Sequence, residues 1–517
     1  MRRISTLEYL AMPKLTRWWY KFISFLVNIP KAIGRFVCSI PRAIWRFCKK
    51  IGAWFSSIWE AVRYGNWKTR MSLLIWGFGC FAYNQIGRGV LYLGYEIIFV
   101  LFITFFGAQY LGKLGSLGTV KSETIIIDDM EVFQLGDNSF QILLYSMLTI
   151  VVLLFTVVLL VKSLQDGYSN QLGYSIAQRN AKMKDDMGQL MNHKFHLTIL
   201  AFPSLTLAIF TIVPLMFMIL VAFTNYNRNN MPPMNLFTWV GFDNFAQVLS
   251  GKAVGASGAQ DAAKWSHTFW YILGWTLEWA VIATFSNLFL GMIMALIINK
   301  KSIKLKKFWR TCLVTVVAVP QFISLMLVNK MLKSDGGILN VLLYQMGLMD
   351  INNPIKWLDG TTAMAKFTII MVNIWVGVPF TVLTCTGILM NIPDDLYEAA
   401  RIDGANPVKM FSKITLPYMM FVLGPSLITS FVGNINNFNI IFLLTGGSTG
   451  AASAALDLAI GAGDVDLLIT WLYKLTVNES KYDVASVIGI LIFIVVAFFS
   501  LIVYSRIGSV KNEEDFQ

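Results

Sequence analysis

The chain has 517 residues, 56% of them apolar and 14% charged, with a formal net charge of +13. A soluble globular protein is nearer 25% charged, and so few charges could not cover the surface of a water-soluble protein this long. The composition also excludes disorder, which goes with a scarcity of apolar residues, and leaves a polytopic membrane protein.

Residues 1–70 come first and stand apart. They hold 14 basic residues against two acids, Glu8 and Glu60, interleaved with Trp18, Trp19, Tyr20, Trp45, Trp54 and Trp59. Ile29–Phe36 recurs eleven residues later as Ile40–Phe47. Eleven residues make close to three helical turns, so each repeat keeps its apolar residues on one face. That is the pattern of an amphipathic arm in the membrane interface, with Lys and Arg toward anionic headgroups. A bare topogenic role is its rival. Nucleic acid is not an expected partner, because the arm leads straight into a membrane domain. No short apolar stretch ending in small residues follows the basic start, so a cleaved signal peptide is not expected. The other 447 residues hold 28 basic and 27 acidic groups, so nearly all the net charge belongs to the arm.

An apolar run at 71–87 is short and glycine-rich (Gly77, Gly79, Gly87) and reads as interfacial or re-entrant. Eight longer runs follow, near 90–111, 142–161, 197–223, 268–298, 311–329, 367–390, 418–444 and 484–504. Each reaches the length of about 20 residues that a membrane-crossing helix needs. Six carry no charge, and the other two carry Glu96 and Glu278. With the N-terminus inside, the inner segments hold 30 basic residues and the outer loops 10. This positive-inside bias places both termini in the cytoplasm. The expected fold class is an all-α polytopic membrane protein with about eight transmembrane helices.

Five cysteines (Cys38, Cys48, Cys80, Cys312, Cys385) and three histidines (His193, His196, His267) show no metal-ligand spacing, so no metal site is expected. Gly107–Leu114 nearly spells a phosphate-binding loop. Leu114 stands where a Ser or Thr would hold Mg²⁺, and no strand precedes it. No other nucleotide fingerprint appears, so no cofactor bound by this chain itself is expected.

One inner loop differs from the rest. Pro393-Asp394-Asp395 opens a helix, since proline suits the first turn and two carboxylates suit its positive end. Leu396, Ala399 and Ala400 form a small apolar face. Gly404 ends the helix, and Asn406-Pro407 forbids its continuation. A short second helix should then lead to Pro417 at the membrane. Glu398, Ala399, Ala400, Gly404, Ile414, Leu416 and Pro417 fill every position of the EAA signature of permease subunits of binding-protein-dependent ABC importers. On residues 196–505 the chain resembles the carbohydrate-uptake branch of that family, most closely its maltose/maltodextrin permease subunits with extra N-terminal helices. The stretches that carry the likeness include Val240–Phe245, Val372–Pro379, Asn436–Phe438, Leu444–Gly447 and Asp464–Leu468.

The resemblance implies a type I importer permease fold and four regions: the arm 1–70, an additional membrane region 71–195, a six-helix core 196–505 with the coupling loop 391–417, and a tail 506–517. It implies that Glu398, Ala399, Ala400, Asp403 and Gly404 dock on a partner ATPase, which uses ATP and Mg²⁺. A second homologous permease subunit, an ATPase dimer and an extracytoplasmic solute-binding protein complete the expected assembly, in a bacterial-type cytoplasmic membrane.

Polar residues inside apolar helices are costly and become functional candidates. Ser430, Asn434 and Asn437 fall at i, i+4, i+7 in the seventh run, with Gly433 beside them. Asn373 and Gly377 are i, i+4 in the sixth, and Gln321 follows the kink expected at Pro320. In the maltose-type subunit the positions matching Asn373, Val376, Gly377, Ser430, Asn434 and Asn437 line the sugar site. Val317, Gln321 and Gly433 stand where that subunit has tyrosine, serine and phenylalanine, so two stacking surfaces are gone. The function expected is sugar import by alternating access, for a maltodextrin or α-glucoside-type oligosaccharide. The alternatives are another carbohydrate or a polyol, and an ion-coupled secondary transporter using Glu278, which could equally reach headgroup level. Helix-joining amides are the bland reading of the polar residues.

Overall fold

The computed structural model describes residues 45, 49, 52–127, 130–177, 183–252, 259–300, 302–350 and 352–504. Trp45 apart, the period-eleven repeat lies outside the described residues, as does the tail 506–517. Among the described residues seven helices are long and apolar enough to cross a membrane, or eight if one bent pair counts as a span. In chain order they begin with α1 (Ile86–Lys113), α2 (Ser139–Ile176), α3 (Phe195–Val221) and α4 (Gln260–Asn299). The bent pair follows, α5 (Lys306–Ala318) and α6 (Gln321–Met331), and then α7 (Thr362–Met390). After α7 come α8 (Asp394–Ile402), α9 (Leu416–Ile435), α10 (Phe438–Thr445), α11 (Leu468–Val477) and α12 (Tyr482–Tyr504). Each of the eight longer runs falls on these elements, two of them on a pair. An antiparallel hairpin, β1 (Glu123–Ile127) with β2 (Met130–Gln134), lies between α1 and α2.

Two expected helices are not continuous. The run 311–329 is broken into α5 and α6 with an 89° bend. Pro320 has no N–H to carry the helix on, and it pushes Val319 into extended backbone (ψ 129°). The seventh run ends at Ile435, and Asn437 caps α10 by accepting from the Ile440 N–H (3.4 Å). Asn437 is therefore not on one helical face with Ser430 and Asn434. A third difference lies before α9. The second helix of the loop does not stop at Pro417 but runs into α9 through a wide turn at Phe411–Thr415, where the Leu416 N–H bonds the Phe411 carbonyl.

The chain forms two compact units, Met1–Gly118 with Phe140–Phe217, and Thr119–Ser139 with Met218–Gln517. In the first, 71–87 makes short helical pieces, Met71–Leu73 and Phe78–Ala82, rather than a span. Glycine permits this at two points. Gly77 has φ 78°, and Gly79 lies so near Gly167 of α2 that a Cβ would come 2.9 Å from the Gly167 Cα. Side chains tie the pieces down: the Trp76 N–H donates to Glu96 (2.9 Å) and the Gly77 N–H to Ser163 (2.8 Å). Asp166 accepts from the Tyr92 hydroxyl (2.8 Å) and pairs with Lys162 (3.1 Å).

In the second unit α4 is the central element, since its side chains enter three separate cores. Trp265, Phe269 and Ile272 pack with Trp471, Leu475 and Ile488. Trp275 and Trp279 pack with Ile369, Ile440 and Leu467, and Leu288 and Met292 with Val378, Val382 and Met419. At 40 residues α4 is about 60 Å long, twice the hydrocarbon thickness, so its ends stand clear of the bilayer.

Candidate functional site

The second unit holds an open cavity of about 620 Å³. α4 supplies Thr284 and Asn287, and the start of α6 supplies Gln321. α7 presents Asn373, Val376, Gly377, Phe380 and Thr381. Ser426, Ser430, Gly433 and Asn434 come from α9, and Asn436, Asn437, Phe438 and Asn439 from the break before and start of α10. All eight residues expected on a transport path from sequence (Gln321, Asn373, Val376, Gly377, Ser430, Gly433, Asn434, Asn437) line this one cavity. The helix breaks bring them together. The elbow at Pro320 turns Gln321 inward, where it accepts from the Asn439 amide (3.3 Å). The break after Ile435 keeps Asn437 on the wall.

The wall carries no charged residue among those described. One of its amides is held from behind. Asn434 donates to Thr284 (2.9 Å), and its main-chain carbonyl accepts from the Trp279 indole (3.1 Å). Glu278 lies on an exposed face of α4 and does not line the cavity. Sequence reading did not single out Thr284, Asn287, Phe380 or Phe438. Phe380, 64% exposed, and Phe438 supply aromatic surface where the maltose-type pattern is missing its own. Phe438 is braced by Phe442 and Tyr473, with ring centres 4.7 and 4.9 Å away. The signal for Thr284 and Asn287 was present: polar residues within the apolar run 268–298.

The loop 446–467 is fastened to α4. The Trp275 indole donates to the Val465 carbonyl (3.1 Å), the Tyr271 hydroxyl to that of Asp464 (3.0 Å), and the Leu468 N–H to Thr276 (3.1 Å). Two fully buried acids organise it. Asp464 accepts from Thr449 and from Thr362 of α7, both at 2.6 Å. Asp466 pairs with Lys474 of α11 (2.6 Å) and accepts from the Gly463 N–H (2.7 Å) and Thr470 (2.8 Å). Burial pushes the Asp466 carboxyl up to about 6, against the opposing pull of Lys474.

The second feature is α8. Asp394 and Asp395 occupy its first turn and Arg401 its last, as the helix dipole favours, and it has no buried residue. Gly404 takes φ 72°, the left-handed conformation that closes a helix. Asn406 caps the next turn by accepting from the Lys409 N–H (2.8 Å). Glu398, Ala399, Asp403 and Gly404 are exposed and Ala400 half-buried. Ile402 (86% exposed) and Leu396 (48%) add apolar area to that surface. A hydrogen bond between the Tyr397 and Thr415 hydroxyls (2.8 Å) ties α8 to the approach to α9.

A membrane-spanning helix bundle holding an uncharged polar cavity is the architecture of a transport subunit. Residues 287–509 match the family described as binding-protein-dependent transport system inner membrane component. The chain is 32% identical over 452 residues to the maltodextrin transport system permease protein MdxF of Bacillus subtilis, covering 86% of this chain and 97% of that one. It is 30% identical over 442 residues to the galactooligosaccharides transport system permease protein GanP of the same organism, covering 85% and 97%. Against the maltose/maltodextrin transport system permease protein MalF of Klebsiella aerogenes it is 33% identical over 266 residues, covering 51% and 48%. The chain belongs to this family of permease subunits, as the EAA motif implied.

Proposed function

We propose that this permease subunit carries a neutral oligosaccharide of the maltodextrin or α-glucoside kind along the cavity between α4, α6, α7, α9 and α10. The lining of that cavity supports the reading most. Seven amide side chains, several hydroxyls and two phenylalanines face about 620 Å³ without a single charge among the described residues. That volume suits a small-molecule site, and the groups match a molecule made of hydroxyls and flat apolar ring faces. A phosphorylated or acidic cargo would call for Arg or Lys. The sugars named for two relatives, maltodextrin and galactooligosaccharides, agree with this class.

The remaining parts follow the family. The loop carrying α8 lies in the cytoplasm, with both termini, and docks its exposed face on an ATPase subunit. A second permease subunit completes the path, and an extracytoplasmic binding protein delivers the sugar. ATP and Mg²⁺ are used on the ATPase dimer, whose closure opens the cavity outward and whose hydrolysis opens it inward. Residues 1–70 hold the arm against anionic lipid.

The test is to reconstitute the complete complex in proteoliposomes with its binding protein. Maltose, maltotriose, galactobiose, a polyol and a sugar phosphate are then screened for stimulation of ATP hydrolysis and for uptake. A neutral oligosaccharide should stimulate. Stimulation by the sugar phosphate alone would refute the reading.

A further inference from the structure

Two amides of the cavity, one on a half-buried residue and one on a buried residue, each leave one buried atom without a partner. Among the described residues four buried side-chain polar atoms have none, and two of them, Asn287 Oδ1 and Asn373 Nδ2, belong to this one wall. Asn373 is 3% exposed. The two residues sit on different helices, α4 and α7, and Asn287 lies against Gly377 of α7. Gly377 follows Asn373 by one turn, about 5–6 Å, and a Cβ there would overlap the Asn287 amide. The missing side chain at 377 is therefore what admits Asn287 to the wall. A buried polar group with nothing to bond is expensive, and native proteins keep one where something else satisfies it. Every other amide on this wall for which a bond is described, such as Asn434 or Asn439, is already engaged with a neighbour.

We propose that Asn287 is a specificity-determining residue of the transport path, and that with Asn373 it holds one hydroxyl group of the sugar in the cleft beside Gly377. This rests on the reading of the cavity as a sugar path. A hydroxyl both donates and accepts, so one such group serves the acceptor of one amide and the donor of the other, in either orientation of the two side chains. A methyl or methylene at the same place would leave both amides buried and unpaired. A site built to bond a hydroxyl discriminates strongly against an analogue that lacks it. Asn287 would thus read the presence of one hydroxyl, while Phe380 and Phe438 offer apolar surface to ring faces without regard to it.

Because delivery by a binding protein masks the affinity of the cavity, the test measures binding to the purified complex of permease subunits and ATPase without it. The probes are maltotriose and a set of its monodeoxy derivatives, titrated calorimetrically. In the unaltered complex one monodeoxy derivative should bind about tenfold or more worse than maltotriose, the scale of one lost hydrogen bond with its partners left buried. Asn287→Leu should weaken maltotriose by a similar factor, yet bind that one derivative as well as the unaltered complex does. Asn287→Ser, smaller and still polar, should show the same selective pattern if the leucine variant fails to assemble. Equal weakening of every derivative by both variants would mean that Asn287 only packs α4 on α7, and would overturn the proposal. So would binding unchanged by either. Failure of the unaltered complex to bind any neutral sugar would instead strike the sugar reading itself.

Discussion

Replacing Lys474 with methionine should unfasten the loop 446–467, in a way that depends on pH. Lys474 Nζ stands 2.6 Å from Asp466, whose carboxylate is fully buried and otherwise meets only the Gly463 N–H and the Thr470 hydroxyl. Breaking a buried pair by removing one partner typically costs about 3–5 kcal/mol, because a charge is left behind. Here protonation limits the loss. With its partner present the Asp466 carboxyl is pushed up to about 6, so within the folded chain at pH 7.5 the ionised form lies only about 2 kcal/mol below the neutral acid, at about 1.4 kcal/mol per unit. The variant can always take up a proton, so its electrostatic penalty is at most about 2 kcal/mol at pH 7.5 and nearly nothing at pH 6. The sign for the unaltered chain runs the same way. A carboxyl raised in the folded state contributes stability below its unfolded value near 3.8, and that contribution is lost as pH climbs to about 6. Thermal unfolding of the purified complex should therefore show Lys474→Met melting several degrees lower at pH 7.5 and close to the unaltered chain at pH 6. Adding Asp466→Asn should restore most of the difference. An equal drop at both pH values would show that Lys474 acts through packing, and would refute the argument from charge.

Gly404→Pro should abolish sugar-stimulated ATP hydrolysis while membrane insertion persists. Proline cannot adopt φ 72° and also loses the N–H that bonds the Arg401 carbonyl (3.0 Å); normal coupling would remove α8 from the ATPase contact. Asn437→Leu loses the cap of α10, worth about 1 kcal/mol, together with a polar group of the cavity. Asn437→Asp keeps the cap, so comparing their melting temperatures and uptake rates separates stability from transport. Gly377→Ala should displace Asn287 and lower maltotriose binding with little change in assembly, measured by titration and by subunit stoichiometry. Binding equal to that of the unaltered complex would mean the α4–α7 contact yields freely.

The spans and the polar wall were legible in sequence for a simple reason. Hydrocarbon forbids charge, so long uncharged runs declare themselves, and the rare amides within them stand out. Gln321 and Asn373 were found that way. What escaped depends on contacts across helices. Asn287 was visible as a polar residue in the run 268–298, but it faces the cavity because α4 approaches α7 at a glycine, and nothing local to either segment records that approach. Asp464 and Asp466 stood out only as part of a stretch that carries the family likeness, because their complete burial comes from Thr362, Thr470 and Lys474 closing around them. Even where an expected residue lines the cavity the route could differ, as with Asn437, which reaches the wall from a helix break rather than from a helical stripe.

The elbow between α5 and α6 also bears on electrical insulation. The two helices have 13 and 11 residues, about 20 and 16 Å, and neither alone crosses a hydrocarbon layer of about 30 Å. Their bend leaves the last carbonyls of α5 without helical donors, and such groups are tolerated at membrane depth only against protein or a water-filled space. Gln321, at the elbow, faces the cavity. A sugar then passes from one wet compartment to another and exchanges its hydration piecemeal. In the alternating-access cycle proposed above, the low-dielectric barrier would be thin at this point, and the closed side of the cavity would have to keep small ions from leaking across.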